Sequence, residues 1–262
     1  MLFTILGSGG FIGSRLERHL RENGHEVYAP CRGASDILDR DLGRTVYAIG
    51  LTADFRQRPY DTAEAHVCYL TRILQEARFS SITYLSSTRV YQGSETGKEN
   101  CPLTVFPDAD GLYNLTKLTG EALCLQSGCG HVARLSNIVG EGASESFVSQ
   151  LISEAVMGKI HLRSALSSTK DYLLIDDAIN ALAALATHGE TGIYNVASGK
   201  NISTAEILDA LSTRFEFEVD MAAPVTEFTF PVIDVERICK LLSWQPQSVT
   251  SWVKEAQLPK QH

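Results

Sequence analysis

The sequence has no long hydrophobic run, no excess of positive charge and few cysteines. No apolar stretch approaches the roughly 18 residues of a membrane-spanning helix, so no membrane span is expected. The 23 Lys and Arg residues are outnumbered by 31 Asp and Glu residues, and the resulting net charge of −8 disfavours nucleic-acid binding. The six cysteines form no Cys-x-x-Cys pair, which predicts reduced thiols and no structural metal.

The amino terminus also lacks the basic segment and the cleavage site of a secretion signal, which predicts a cytoplasmic protein. Neither an internal repeat nor a low-complexity linker is present. The 262 residues, of which 44% are hydrophobic and 21% charged, suffice for one large α/β domain or a domain with a smaller lobe.

A glycine-rich turn follows the first apolar run of the chain and precedes a helical pattern. This strand–turn–helix setting is the one that a dinucleotide-binding loop requires. In the run Gly-Ser-Gly-Gly-Phe-Ile-Gly, Gly7 permits a sharp turn, Gly10 lets the backbone approach a pyrophosphate, and Gly13 lets the helix pack closely on the strand. The start of the helix that follows offers free N–H groups and a partial positive charge to the phosphates. The alternative is a purely structural turn.

Strand and helix patterns alternate along the chain, which predicts an α/β fold with a Rossmann-type doubly wound parallel sheet. The third βα unit is truncated, because the stretch 33–44 is much shorter than a full unit of about 30 residues. We expect a dinucleotide-binding domain over 1–140, to which segments of 171–200 return, and a small C-terminal α/β substrate lobe, mainly 141–262. The predicted strands are 3–6, 26–32, 45–50, 81–87, 131–136, 159–162, 171–175 and 193–197, and the predicted helices are 15–23, 61–77, 111–126, 147–157, 177–187, 203–212 and 234–242.

The end of the second predicted strand, Cys31 and Arg32, bears on the choice of cofactor. In dinucleotide-binding folds an acidic side chain at this place binds the ribose diol and selects NAD, whereas an arginine can pair with a 2′-phosphate. NADP(H) is therefore favoured and NAD(H) is the alternative, unless Arg32 is merely a solvated loop residue. Within 33–44, Asp36 or Asp41 lies beside the adenine or belongs to a polar surface turn.

Three side chains suit hydride transfer to or from an alcohol. Tyr113 and Lys117 stand four residues apart on a predicted helix and so share a face, while Ser87 ends a central strand, where open α/β sheets bind ligands. A tyrosine removes a hydroxyl proton only if its pKa falls from about 10 toward neutrality, and an ammonium and a serine hydroxyl both favour that change. The residues expected at the cofactor are Gly7, Gly10, Phe11, Ile12, Gly13, Cys31, Arg32, Ile49, Gly50, Tyr113 and Lys117.

Taken together, these motifs resemble the extended short-chain dehydrogenase/reductase family, in its nucleotide-sugar epimerase/dehydratase branch, over nearly the whole chain. The two C-terminal motifs, Tyr194–Gly199 and Leu242–Pro246, are specific to that branch and disfavour a small single-domain short-chain dehydrogenase. The motifs are Gly7–Gly13, Leu85–Tyr91, Tyr113–Lys117 with Glu121, Arg134–Gly140, Lys170–Asp177, Tyr194–Gly199 and Leu242–Pro246.

The resemblance implies a role for each matching position. Tyr113 is the acid/base, Lys117 its electrostatic partner, and Ser87 the hydrogen-bond donor at the reacting oxygen. Asn137 and Lys170 are candidate contacts to a substrate diphosphate, and Ser87 and Thr88 are candidate contacts to the sugar.

Departures from the family pattern narrow the expected chemistry. Dehydratases carry Asp-Glu where this chain has Thr88 and Arg89, so 4,6-dehydration is disfavoured. Lys170 replaces an arginine, so a bidentate phosphate contact is lost.

Three functions remain open. The first is an NADP(H)-linked reductase of a keto-sugar nucleotide, acting at C4; the second is a nucleotide-sugar 4-epimerase that retains NAD; and the third is a non-catalytic nucleotide-sensing or scaffold protein. The family also leads us to expect a homodimer through the helices 61–77 and 111–126.

Overall fold

The computed structural model describes residues 1–142 and 146–255, and a six-stranded parallel sheet forms its centre. The strand order is β2-β1-β3-β4-β5-β9, and every pairing is parallel. The six strands are β1 (Leu2–Leu6), β2 (Glu26–Tyr28), β3 (Arg44–Tyr47), β4 (Ser81–Ser87), β5 (Gly130–Leu135) and β9 (Gly192–Val196).

Helices cover both faces of this sheet, which confirms the predicted doubly wound α/β fold. On one face Phe3 and Ile5 of β1 pack with Leu16 and Leu182 of the covering helices, and on the other face Leu6 packs with residues such as Leu70. Neighbouring residues of one strand pack on opposite faces of the sheet because side chains alternate in direction along a strand. The first face carries α1 (Phe11–Glu22), α6 (Ile175–His188) and α8 (Glu236–Leu242), and the second carries α2 (Pro59–Ala63), α3 (Tyr69–Glu76) and α4 (Leu112–Gln126).

The connection from β2 to β3 contains no helix, so the crossover helix is the truncated part of the third unit. The strand predicted over 26–32 is also shorter than expected, because it ends at Tyr28. Pro30 offers no N–H to a neighbouring strand, and Gly33 adopts a φ of +84°, so the chain turns away from the sheet. Cys31 and Arg32 therefore lie in an exposed turn rather than at a strand end.

The helix predicted over 61–77 is interrupted. A five-residue π-helical segment, Glu64–Cys68, lies between α2 and α3. Such wide turns shift the register of the following residues and recur at functional sites. This one places His66 in the interior, with no exposed surface.

The smaller lobe is built from two further sheets, with strand orders β10-β8-β6 and β11-β7. The strand β11, all of whose residues are exposed, and the helix α9 were not predicted. The strand β8 pairs within this lobe, whereas the elements that follow it, α6 and β9, pack on or belong to the main sheet. The division of the chain into a dinucleotide-binding domain and a substrate lobe therefore stays a proposal. The remaining elements are β6 (Asn137–Val139), α5 (Phe147–Val156), β7 (Lys159–Ser164), β8 (Thr169–Leu174), β10 (Asn201–Ser203), α7 (Thr204–Ser212), β11 (Glu218–Thr226) and α9 (Val249–Glu255). Within the described ranges no helix has the length and apolar character to cross a membrane.

A buried ion pair joins the second-face helix α4 to the sheet. Arg134 of β5 donates to both carboxylate oxygens of Glu121, at 2.7 to 3.2 Å, and neither side chain is more than 4% exposed. Ser86 of β4 donates to the same carboxylate, so three elements share one charge.

The pair continues into a wider hydrogen-bond network. Arg134 donates to the Tyr91 hydroxyl at 2.8 Å, and that hydroxyl donates to Asn195 Oδ1 at 2.8 Å. The Asn195 amide then donates to the carbonyl oxygens of Gly97 and Asp234. The network therefore links α4 and β5 with β9 and two surface loops.

We expect Glu121→Gln to lower the free energy of unfolding by about 3 kcal/mol, because it leaves the Arg134 charge buried without a carboxylate. The matched control is Glu236→Gln on α8, where an exposed pair with Lys240 is lost, and we expect no measurable change in the free energy of unfolding. Urea unfolding followed by circular dichroism measures both. Equal, small losses in the two variants would show that the buried pair contributes little.

Candidate active site

A cavity of about 940 Å³ opens where the central parallel strands end. It lies between the main sheet and the smaller lobe, since both β4 and β8 contribute to its wall. Most of the residues singled out in the sequence line it: Gly10, Phe11, Ile12, Gly13, Ile49, Gly50, Ser87, Thr88, Tyr113, Lys117, Asn137 and Lys170. Gly7, Cys31 and Arg32 do not line it.

The glycine turn is as tight as its sequence predicts. Gly7 has a φ of +97°, and a Cβ on it would lie 2.8 Å from the backbone of Ala48. A Cβ on Gly13 would lie 2.2 Å from the carbonyl oxygen of Gly7, so only glycine lets α1 start this close to β1.

The start of α1 fits the diphosphate of a dinucleotide. The capping residue Gly10 provides no side-chain acceptor, so the first N–H groups of α1 remain without an intrahelical partner, next to the cavity. Free N–H groups and the helix dipole both favour an anion at this place. A nicotinamide dinucleotide would be held here by Gly10–Gly13.

In the turn that follows β2, the Asp36 carboxylate contacts the last residue of that strand. Asp36 accepts a hydrogen bond from the Tyr28 hydroxyl at 2.6 Å and pairs with Arg40 at 3.2 Å. Arg40 also stacks on the Tyr28 ring, 3.8 Å from its centroid. The Tyr28 hydrogen bond lowers the pKa of Asp36, so this carboxylate is ionised at neutral pH.

Tyr113 lies at the base of the cavity, on the first turn of α4, and is 4% exposed. Burial raises its pKa, while the adjacent Ser87 and Thr52 hydroxyls and the Arg89 charge lower it. Because burial dominates, Tyr113 holds its proton at neutral pH and is suited to donate it.

Lys117 lies one helical turn beyond Tyr113 and is also buried. Its ammonium donates to the carbonyl oxygen of Leu85 at 2.8 Å and lies 5.8 Å from the centroid of the Tyr113 ring. Burial lowers the pKa of Lys117 to about 7, and the Glu121 carboxylate acts in the opposite direction. The spacing of four residues has thus placed both groups on one face, as predicted.

His66 is a site residue that the sequence did not reveal. Its Nε2 accepts a hydrogen bond from the backbone N–H of Leu51 at 3.2 Å, so Nδ1 carries the hydrogen and donates it to Thr116 Oγ1 at 2.9 Å. The ring also makes an edge contact with Tyr113, at 5.4 Å between centroids. Burial, and after it the Lys117 charge, lower the pKa of His66 to about 3, so the ring is neutral.

His66 affects the cavity through Gly50, a residue of the cavity wall. A Cβ on Gly50 would lie 3.1 Å from His66 Nε2 and 3.3 Å from the Lys117 ammonium. The loop after β3 therefore rests directly on both side chains, and His66 holds it there. The only local signal for this role was a histidine within a helical pattern, which more often marks an ordinary core position.

Asn137 and Lys170 stand where the smaller lobe meets the cavity. Asn137, exposed at the start of β6, donates to the carbonyl oxygen of Asp171 at 2.8 Å. Lys170 is half-buried between the rings of Phe147 and Phe228, with its ammonium 5.9 and 5.2 Å from their centroids. Burial, followed by the Arg89 charge, lowers the pKa of Lys170.

No cluster of three or more His, Cys, Asp or Glu side chains suited to a metal ion occurs within 1–142 and 146–255. The six cysteines form no disulfide.

We expect His66→Asn to release the loop that follows β3, because asparagine can replace the Nδ1 donor but cannot reach the Leu51 N–H. His66→Gln is the matched control, since its side-chain oxygen can occupy the position of Nε2. Hydrogen–deuterium exchange of the segment 49–52 measures the effect, and we expect exchange at least about fivefold faster in the asparagine variant only, as for one lost hydrogen bond. The same exchange rate in both variants would contradict this role of His66.

Several known proteins resemble this chain in sequence or in fold. The sequence is 28% identical, over an alignment of 253 residues, to the GDP-6-deoxy-D-mannose reductase of Pseudomonas aeruginosa, covering 83% of this chain and 81% of that protein. The fold is similar to that of MoeE5 in complex with UDP-glucose and NAD, with a TM-score of 0.82, 18% identity, and coverage of 97% of this chain and 96% of that one. It is also similar to that of RMD from Pseudomonas aeruginosa complexed with NADPH, with a TM-score of 0.78, 23% identity and coverage of 98% of both chains.

The model of the NAD dependent epimerase/dehydratase family matches residues 3–197, a span that includes the glycine turn, Ser87, Tyr113 and Lys117. The chain therefore belongs to the NAD-dependent epimerase/dehydratase family.

Proposed function

We propose that this chain is an NADP(H)-linked reductase that converts a keto-sugar nucleotide, at C4, to the corresponding alcohol. The observation that carries the proposal is the convergence of Tyr113, Lys117 and Ser87 on the cavity that the glycine turn also lines. The resemblance to a GDP-6-deoxy-D-mannose reductase, at 28% identity, supports the reductive direction.

In this proposal, the nicotinamide cofactor supplies the hydride when bound. Tyr113 donates its proton to the oxygen of the ketone, which is the role that its raised pKa suits. Ser87 donates a hydrogen bond to the same oxygen. Lys117, fixed by the Leu85 carbonyl oxygen, then stabilises the tyrosinate that forms.

Asn137 and Lys170 hold the substrate diphosphate in this proposal, and Thr88 contacts the sugar. Asn137 uses its amide hydrogen on Asp171, which leaves its side-chain oxygen and the second amide hydrogen for a ligand. The half-buried ammonium of Lys170 supplies the positive charge.

The homodimer through 61–77 and 111–126 belongs to the same proposal. Leu115, Leu118 and Leu125 of α4 are only partly buried within one chain, as residues of an interface would be. The molecular mass in solution decides between a dimer and a monomer.

One observation favours a second candidate, a 4-epimerase that uses NAD. The Asp36 carboxylate lies beside Tyr28, the last residue of β2, where an acidic side chain binds the ribose diol of NAD. Arg32 lies outside the cavity wall, so a 2′-phosphate would have to be met by a residue of the exposed turn.

We expect Tyr113→Phe to lower kcat by about 10²- to 10⁴-fold, because it removes the proton donor. The assay uses NADPH deuterated at the transferable position with the C4-oxidised form of GDP-6-deoxy-D-mannose, and NMR locates the deuterium at C4 of the product. Tyr60→Phe, on α2 and 88% exposed, is the control and should keep the wild-type rate.

Two outcomes would contradict the reductase. Full activity of the Tyr113→Phe variant would exclude Tyr113 as the proton donor. Interconversion of UDP-glucose and UDP-galactose with NAD present, without net formation of NADH and without deuterium transfer to the ketone, would identify the epimerase instead.

A further inference from the structure

Arg89 is fixed beside the proposed proton donor. It follows Ser87 in the short turn after β4, where its backbone N–H donates to Ser87 Oγ at 3.2 Å. Its carbonyl oxygen accepts from the Asn114 amide of α4 at 3.2 Å. The backbone of Arg89 is thus tied both to the end of the central strand and to the helix that carries Tyr113.

The guanidinium of Arg89 lies in the cavity wall against two aromatic rings. It is 4.9 Å from the centroid of Phe55 and 5.5 Å from that of Tyr113. These faces orient the planar group but satisfy none of its in-plane N–H donors, which are the ones that bind a carboxylate in a bidentate manner.

The acidic side chains around the cavity are already engaged. Asp110 pairs with Arg56, and Glu121 pairs with Arg134. Asp171 accepts hydrogen bonds from the backbone N–H groups of Ser198 and Lys200 and from the Ser198 hydroxyl. Throughout 1–142 and 146–255, the Arg89 guanidinium therefore has neither a salt-bridge partner nor a hydrogen-bond acceptor from the protein.

Two cations of the cavity wall, Arg89 and Lys170, thus have no salt-bridge partner among the described residues, and the Arg89 charge acts on Lys170. Burial first, and then the Arg56 charge, lower the pKa of Arg89, while Tyr113 and the Asp110 carboxylate act in the opposite direction without offsetting them. The Arg89 charge in turn contributes to the lowered pKa of Lys170. Holding a partly buried cation without a counter-ion is unfavourable, and a bound anion relieves that cost. The proposed diphosphate provides one such anion, at Lys170.

We infer that Arg89 binds a carboxylate on the sugar ring, adjacent to the carbon whose oxygen Tyr113 protonates, and that acidic nucleotide sugars are therefore preferred over neutral ones. This inference rests on the proposed function. Arg89, rather than Lys170, takes the sugar carboxylate because its guanidinium lies against Tyr113, whereas the Lys170 ammonium lies between Phe147 and Phe228.

Matched pairs of nucleotide sugars test the inference. Isothermal titration of the cofactor-loaded, full-length protein compares UDP-glucuronic acid with UDP-glucose, and GDP-mannuronic acid with GDP-mannose. We expect the acidic member of the preferred pair to bind about 10- to 100-fold more tightly, the range of one charge-assisted hydrogen-bond pair. Arg89→Gln should abolish that preference by weakening only the acidic member.

Two further variants make the result specific. Lys170→Gln should weaken both members of a pair by the same factor, as expected for a diphosphate contact. Arg21→Gln, exposed on α1, should change neither affinity. If Arg89→Gln does not fold, Arg89→Lys keeps the charge, loses the bidentate geometry and should reduce the preference in part.

Equal binding of the acidic and neutral members would overturn the inference. So would an Arg89→Gln variant that weakens both alike, because Arg89 would then serve the diphosphate. If the wild-type protein binds none of the four compounds, the proposed function itself fails and the inference falls with it; binding of neutral members alone leaves the proposed function intact and refutes only the acidic substrate.

Discussion

The buried pair of Arg134 and Glu121 is the constraint on which the rest of the site depends. Two charges in a protein interior carry a large desolvation penalty, and only dense hydrogen bonding offsets it. Here the carboxylate accepts from Arg134 and Ser86, and the remaining guanidinium donors reach Tyr91 and a backbone carbonyl. Because the partners come from different elements, satisfying the pair fixes those elements relative to one another.

The consequence for the candidate active site follows from the spacing of residues along α4. Glu121 lies one helical turn after Lys117, which in turn lies one turn after Tyr113, so anchoring Glu121 to β4 and β5 sets the height of α4 along the sheet. At that height the Lys117 ammonium meets the Leu85 carbonyl oxygen, and Tyr113 lies beside Ser87. Arg134 and Glu121, which do not line the cavity, thus position Tyr113 and Lys117, which do.

The sequence alone predicted the parts of the site that depend on local pattern. The glycine turn has to be tight because of the backbone contacts at Gly7 and Gly13, and the spacing of Tyr113 and Lys117 determines a shared helix face. His66 was out of reach, because its burial depends on a π-helical turn that an ordinary helical period does not anticipate. The strand β11 was missed for a different reason, since all its residues are exposed and the alternation of polar and apolar positions lasts only from Glu218 to Met221.

The end of β2 shows how a single residue limits such predictions. The apolar pattern over 26–32 suggested a continuous strand, but Pro30 ends the pairing early and the turn beyond it turns Arg32 outward. The charges past the end of β2 are then set by Tyr28, Asp36 and Arg40, whose contacts arise only when the turn folds. The spacing of four residues connects Asp36 with Arg40, but no spacing rule connects either of them with Tyr28.

The most direct test of the account is the identity of the dinucleotide that the purified chain binds. Any nucleotide retained through purification is released and identified by mass spectrometry, and the emptied protein is titrated with NADPH and NADH by fluorescence. We predict that a nicotinamide dinucleotide binds, with NADPH bound more tightly than NADH. Failure of both to bind would contradict the hydride-transfer site, whereas tightly retained NAD with no response to NADPH would contradict the reductase and favour the epimerase.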